Sequence, residues 1–180
     1  MSNFTPYLER NRAFAASGAQ SDIPQVPFIP FKQLYLIICI DPRVDPAAVL
    51  GVRLGEAIVA RNVGGRVTPE VIKDLAWIVH LHENKTPDAA WFEIAVIHHT
   101  DCGSGLLADD GLRAGYAARG GWDEQTSLEM AVLEPSKTVR KDIAKLRSAP
   151  ELASAIGDIK IGGYAYDLGT GEITTVVQPG

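Results

Sequence analysis

Apolar positions along the chain fall into two kinds of run. Leu34-Tyr35-Leu36-Ile37-Ile38 is short and unbroken, and Phe92-Glu93-Ile94-Ala95-Val96-Ile97 is broken only by Glu93. Unbroken runs of this length predict strands buried on both faces, as in a parallel sheet. Glu56 to Ala60 is a weaker strand candidate. Elsewhere the spacing is helical. Val71, Leu75, Ile78 and Val79 share one face behind Thr68-Pro69-Glu70, which puts a cap, a proline and an acid in the order that starts a helix. Val139, Ile143 and Leu146 mark a second helix from about Ser136 to Ser148, while the Gly/Ala-rich stretch 104–120 is only moderately helical. Residues 1–20 read as an N-terminal helix, with Thr5 as its cap, Pro6 at the first helical position and Glu9 in the first turns. The three prolines of 21–31 predict an extended linker after it. At the far end, Ile161 to Asp167 and Ile173 to Val177 flank Gly169-Thr170-Gly171 as the arms of a hairpin. Strands alternating with helices indicate an α/β fold with a mainly parallel central sheet flanked by helices, and the terminal hairpin makes the sheet mixed.

The 180 residues suffice for one domain, 1–180, and are too few for two comfortable ones. Hydrophobic residues at 46% and charged residues at 22% are ordinary for a soluble protein. A net charge of -5 with no basic run argues against nucleic acid or an anionic membrane as a partner. No stretch is apolar for long enough to span a bilayer. The N-terminus lacks a basic segment followed by an apolar one, so a cytoplasmic location is expected. There, the two cysteines, Cys39 and Cys102, are not expected to form a disulfide.

Candidate chemistry enters where the two strongest strand candidates end. One runs into Cys39-Ile40-Asp41-Pro42-Arg43 and the other into His98-His99-Thr100-Asp101-Cys102-Gly103. In open α/β sheets ligands bind beyond the carboxyl ends of strands, so the fold could bring both clusters together. Cys39, His99 and Cys102 would then form a Cys2His set suited to zinc. Structural zinc takes four protein ligands, and catalytic zinc keeps one position open; three ligands favour the catalytic kind. The bland alternative is two buried thiols and an unrelated histidine. Asp41 and Arg43 lie two apart and on an extended segment point the same way. Arg43 can hold the carboxylate of Asp41 through a bidentate contact. Asp41 could then orient a zinc-bound water; alone, such a pair is an ordinary surface ion pair. His98 should face away from His99 on a strand, and so stay outside any site that His99 enters. His80 and His82 fall late in the Thr68-started helix, where they favour its dipole and are not expected to be ligands.

Together these residues resemble the β-class carbonic anhydrases, whose signature is Cys-x-Asp-x-Arg followed later by His-x-x-Cys. Cys39-Ile40-Asp41-Pro42-Arg43 and His99-Thr100-Asp101-Cys102 match it, and Gly55 to Gly65 resembles the family's Gly-(Asp/Glu)-Ala-x-x-x-Arg-Asn-(Ala/Val)-Gly stretch. The resemblance is specific from about Tyr35 to Gly105, and the N-terminal helix and short length look like the compact branch of the family. It implies one zinc ion per chain on Cys39, His99 and Cys102, with Asp41 and Arg43 as the orienting dyad. It further implies the Gly103 N–H beside the substrate, and Arg61 and Asn62 in the supporting shell. The implied reaction is hydration of carbon dioxide to bicarbonate by zinc-activated water. Carbonyl sulfide or carbon disulfide hydrolysis is the alternative within the same architecture. A non-catalytic zinc protein, with Asp41 as fourth ligand, is the alternative outside it. A homodimer or dimer-based oligomer is also implied, the N-terminal helix reaching a neighbour. Two departures stand out. Pro42 replaces the usual small residue and should stiffen the loop, and Pro30 stands where some members carry a substrate-contacting Gln.

Overall fold

The computed structural model describes residues 2–22 and 32–180. Most of the expected linker, and Pro30 with it, therefore lies outside the described residues. The elements in chain order are α1 (Thr5–Ser17), β1 (Leu34–Cys39), the single turn α2 (Pro46–Val49), β2 (Ala57–Asn62), α3 (Pro69–Lys85), β3 (Glu93–His99), α4 (Asp110–Ala118), α5 (Glu124–Met130), α6 (Pro135–Ser148), β4 (Lys160–Tyr166) and β5 (Ile173–Val177). The strands form one sheet in the order β2-β1-β3-β4-β5. Its first four strands are parallel, and β5 returns antiparallel to β4. The mixed α/β sheet expected from the apolar runs is therefore the observed one.

The two central strands are buried on both faces, which is why they read as unbroken apolar runs. On one face Tyr35, Ile37, Ile94 and Val96 meet Val71, Leu75 and Val79 of α3 and Val139, Ile143 and Leu146 of α6. On the other, Leu36, Ile38, Ala95 and Ile97 pack with Val44, Cys102 and Val132. α3 starts as expected, with the Thr68 hydroxyl accepting from the Val71 N–H. Helix α6 lies directly on β4: a Cβ on Gly163 would sit 2.4 Å from Ile143 Cδ1 and 2.5 Å from Val139 Cγ1.

One local expectation needs correction. Thr5 is the first residue inside α1 and not its cap; the preceding Phe4 occupies that position without a side-chain bond to the helix. The Ser2 hydroxyl accepts from the Phe4 N–H instead, so the cap chemistry lies just outside the helix. α1 buries none of its residues within the chain, and Phe4, Tyr7, Leu8 and Phe14 stand exposed. Among the described residues no helix is long and apolar enough to cross a membrane.

Candidate metal centre at the carboxyl ends of the central strands

Because β1 and β3 are parallel neighbours, their carboxyl ends fall side by side. This adjacency brings Cys39 at the end of β1 to His99 at the end of β3 and to Cys102 three residues beyond. The ligand atoms of these three buried residues all lie within 4.8 Å of one another. The two sulfurs are 3.8 Å apart. That is far too long for a disulfide, and both cysteines are free. It is the spacing expected of two sulfurs on one tetrahedral zinc with Zn–S of ~2.3 Å, which separates them by about 3.8 Å.

Further observations fit a metal. His99 Nδ1 lies 2.8 Å from the Thr100 carbonyl, so the bonding pattern puts the ring proton on Nδ1. Its buried Nε2, left as a lone-pair donor, has no hydrogen-bond partner among the described residues. The thiols also resist joint ionisation. Cys39 is pushed up to about 12, first by its hydrogen bond to Cys102 and then by burial. Cys102 falls to about 6, chiefly because Cys39 bonds to it, with burial opposing. A cation between the sulfurs is what would let both be thiolates.

The first loop differs from expectation in its backbone. Pro42–Val44 is a turn of 3-10 helix, with Asp41 as its N-cap accepting from the Arg43 N–H at 2.9 Å. Asp41 and Arg43 therefore meet through a tight turn and not along an extended segment, because Pro42 presets the turn's first φ. The contact is bidentate: Arg43 Nη2 lies 2.7 Å from Asp41 Oδ2, and Nε lies 3.0 Å from Oδ1. These bonds hold the Asp41 carboxyl down at about 2. Arg43 also donates to the Asp101 carboxylate at 2.8 Å and to the Asp101 carbonyl at 2.9 Å, tying the two loops together. Asp101 was not singled out in the sequence; its φ of +52° lets its carbonyl and carboxylate converge on one guanidinium.

Arg61 and Asn62 brace this loop from β2. Arg61 donates to the Cys39 carbonyl at 3.0 Å and to the Asp41 carbonyl at 2.8 Å, while pairing with Asp45 at 2.9 Å. Asn62 closes the following turn by donating to the Arg66 carbonyl and accepting from the Arg66 N–H. Within that turn Gly65 has φ +65°, and a Cβ placed on it would run into the β1 backbone at Ile38 and Cys39.

His98 points to the opposite face, as expected. Its Nε2 donates to the Gly65 carbonyl at 3.1 Å, and Nδ1 meets the Thr138 hydroxyl at 2.7 Å. Burial, opposed by Asp142, lowers its pKa. Beside it lies a buried ion pair that sequence reading missed. Arg66 Nε and Nη2 hold the two oxygens of Asp142 at 2.7 and 2.9 Å, and Asp142 also accepts from the Val67 N–H at 3.0 Å. Arg66 Nη1 donates to the Glu129 carbonyl. His80 and His82 lie outside the metal-capable cluster; His82 is buried against Trp91.

A pocket of about 570 Å³ opens beside Cys39, Asp41 and Gly103. Its walls include Ile40, Val63, Leu106, Leu107, Tyr116 and Trp122, so it is mainly apolar with a few polar groups at one end. Gly103 has open space where a side chain would stand.

The family model for carbonic anhydrase matches residues 34–119. The chain is 29% identical over 170 residues to beta-carbonic anhydrase 1 of Mycobacterium tuberculosis, covering 94% of this chain and 95% of that one. It is 24% identical over 162 residues to a carbon disulfide hydrolase of an Acidianus species, covering 77% of this chain and 74% of the other. Among solved structures it resembles carbonic anhydrase from Streptococcus mutans, with a TM-score of 0.73, 31% identity and 98% of each chain covered. By sequence over nearly its whole length, and by fold, the chain belongs to the β-carbonic anhydrase family.

Proposed function

We propose that the protein hydrates carbon dioxide to bicarbonate, using one zinc ion per chain held by Cys39, His99 and Cys102. The observation that carries this reading is a three-ligand set, metal-spaced and buried, opening on an apolar pocket beside a clamped carboxylate. Three protein ligands leave one tetrahedral position for water. Bound there, zinc supplies the Lewis acidity that makes water a nucleophile near neutral pH.

The chain's own residues do the rest. Asp41 stays ionised at neutral pH under the grip of Arg43, accepts a hydrogen bond from the attacking water and so aims its lone pair at the substrate carbon. Arg43 keeps Asp41 off the metal. The Gly103 N–H, on the pocket wall, would serve the substrate oxygen, where added charge needs a donor. Arg61 holds the backbone carbonyls of Cys39 and Asp41, and the Asn62 side chain holds the turn after β2 through Arg66. The apolar walls suit a small, linear, uncharged molecule. The exposed apolar residues of α1 support a homodimer or dimer-based oligomer in which that helix packs on a neighbour.

Hydrolysis of carbon disulfide or carbonyl sulfide is the second reading, and similarity to a carbon disulfide hydrolase favours it. Stopped-flow hydration of carbon dioxide, run beside sulfide release from both sulfur gases, decides between them. A hydration rate equal to buffer, with clear sulfide release, replaces the first reading by the second. A non-catalytic zinc protein would need Asp41 as fourth ligand. The Asp41 carboxylate is instead committed to Arg43 and falls outside the three-residue cluster. X-ray absorption of the zinc-loaded protein with an Asp41 oxygen on the metal at every pH would restore that reading.

A further inference from the structure

Ser104 is the polar side chain nearest a ligand sulfur that none of the roles above uses. It sits two residues past Cys102, is 5% exposed, and lies on the wall of the pocket. Its hydroxyl oxygen is 3.1 Å from Cys102 Sγ and 3.2 Å from the Val132 N. The two contacts fix the direction of the proton. A backbone N–H can only donate, so at Val132 the hydroxyl oxygen is the acceptor. A sulfur that binds a metal is deprotonated and can only accept. The hydroxyl proton therefore goes to Cys102. The oxygen is also hemmed in from the turn after β2: a Cβ on Gly64 would come within 3.0 Å of it, so the side chain is held between that turn, Val132 and the sulfur.

We propose that Ser104 is a positioning residue that donates its hydroxyl proton to Cys102 Sγ and so limits the negative charge this sulfur delivers to a bound metal. The inference rests on the zinc reading above and deepens it. Two thiolates and one imidazole put more negative charge on zinc than three imidazoles would, which works against acidifying a bound water. A proton shared with one sulfur draws density back from the metal. The two sulfurs are unequally served: among the described residues no hydroxyl bonds Cys39 Sγ, which, apart from the two other residues of the ligand set, receives the Asp41 N–H at 3.4 Å. Cys102 is thus the weaker electron donor of the pair, and the difference is set by one hydroxyl.

The test replaces zinc by cobalt(II) in the full-length protein and reads the sulfur-to-cobalt charge-transfer band. Ser104→Ala removes the donor, raises the energy of the sulfur lone pairs and moves the band to lower energy. Ser104→Thr keeps the hydroxyl and leaves the band where it is in the parent. A band at the same energy in Ser104→Ala as in the parent overturns the proposal, and so does an equal shift in Ser104→Thr with the protein fully folded. If circular dichroism shows Ser104→Ala unfolded, Ser104→Gly replaces it; it too removes the hydroxyl and adds no metal ligand, so it should shift the band in the same direction, and an unmoved band overturns the proposal equally. Failure of the parent to take up cobalt defeats the metal-centre reading itself. Normal uptake with a band insensitive to residue 104 defeats only the role of Ser104.

Discussion

The sharpest structural prediction concerns Gly65→Ala. Two costs act at once. At φ +65° an L-residue pays roughly 1–2 kcal/mol for the left-handed conformation. The new Cβ would also stand 2.7 Å from the Cys39 N and 2.8 Å from the Ile38 carbonyl carbon, both backbone atoms of a central strand that cannot swing aside. Overpacking of this kind costs about 1–3 kcal/mol, for a sum of about 2–5 kcal/mol. Gly51→Ala is the internal control. Gly51 has φ +69° with nothing within 4 Å of its Cβ position, so it should pay only the conformational part. The stiffening of the unfolded chain is common to both substitutions and cancels in the comparison. Urea unfolding of both variants measures the difference, expected at about 1–3 kcal/mol. Because the clash falls on the residue that begins the candidate ligand set, zinc content per folded chain should drop in Gly65→Ala and hold in Gly51→Ala. Equal destabilisation of the two variants would refute the close-approach argument.

Metal analysis should find about one zinc per chain, lost in Cys39→Ser, Cys102→Ser and His99→Ala but kept in His98→Ala, whose ring faces α6; full zinc in any of the first three removes that residue from the set. Asp41→Ala should keep zinc yet lose roughly 100-fold in carbon dioxide hydration, as should Arg43→Ala, and near-normal turnover in Asp41→Ala would end the orienting role. Asp142→Ala strands Arg66, 1% exposed, without its carboxylate and should cost about 3–5 kcal/mol by denaturant unfolding. Burial would raise the Asp142 pKa, but Arg66 and then His98 outweigh it and hold it below the ordinary value. Its contribution is therefore complete above about pH 4 and lost as pH falls below that, and Asp142→Asn should flatten this acid limb. Light scattering at micromolar concentration should show at least a dimer, weakened by Tyr7→Ser with Phe14→Ser; an active monomer would count against the role given to α1.

What the sequence made legible followed from burial. β1 and β3 are covered on both faces, so their apolar runs announced a parallel sheet, and the polar residues that ended those runs marked the site. The alternation of strand side chains separated His98 from His99 correctly. α5 was missed because EQTSLEM is short and buries only Ser127 and Met130, leaving little apolar period to read; the Asp123 cap was its one available signal. The Arg66–Asp142 pair joins residues 76 apart, which no local pattern reports. Asp142 did leave a trace, since it shares the buried face of α6 with Val139, Ile143 and Leu146. A charge on an apolar stripe calls for a buried partner. The Asp41–Arg43 contact was anticipated through the wrong backbone, because Pro42 was read as a stiffener and not as the start of a turn.

The placement of Cys39 and Cys102 on neighbouring strands has a consequence for how the chain folds. Joining them closes a loop of 63 residues, at an entropic cost on the order of 4 kcal/mol beyond the fixed term. An unfolded chain can offer a metal the local pair His99 and Cys102, but the third ligand arrives only when β1 docks beside β3. Tight capture is therefore coupled to formation of the sheet's centre. Free zinc at a thousand times its dissociation constant would stabilise the native state by about 4 kcal/mol. Chelation should accordingly accelerate global unfolding, while the His99–Cys102 pair alone could recruit the ion early in refolding and hold it in wait for Cys39.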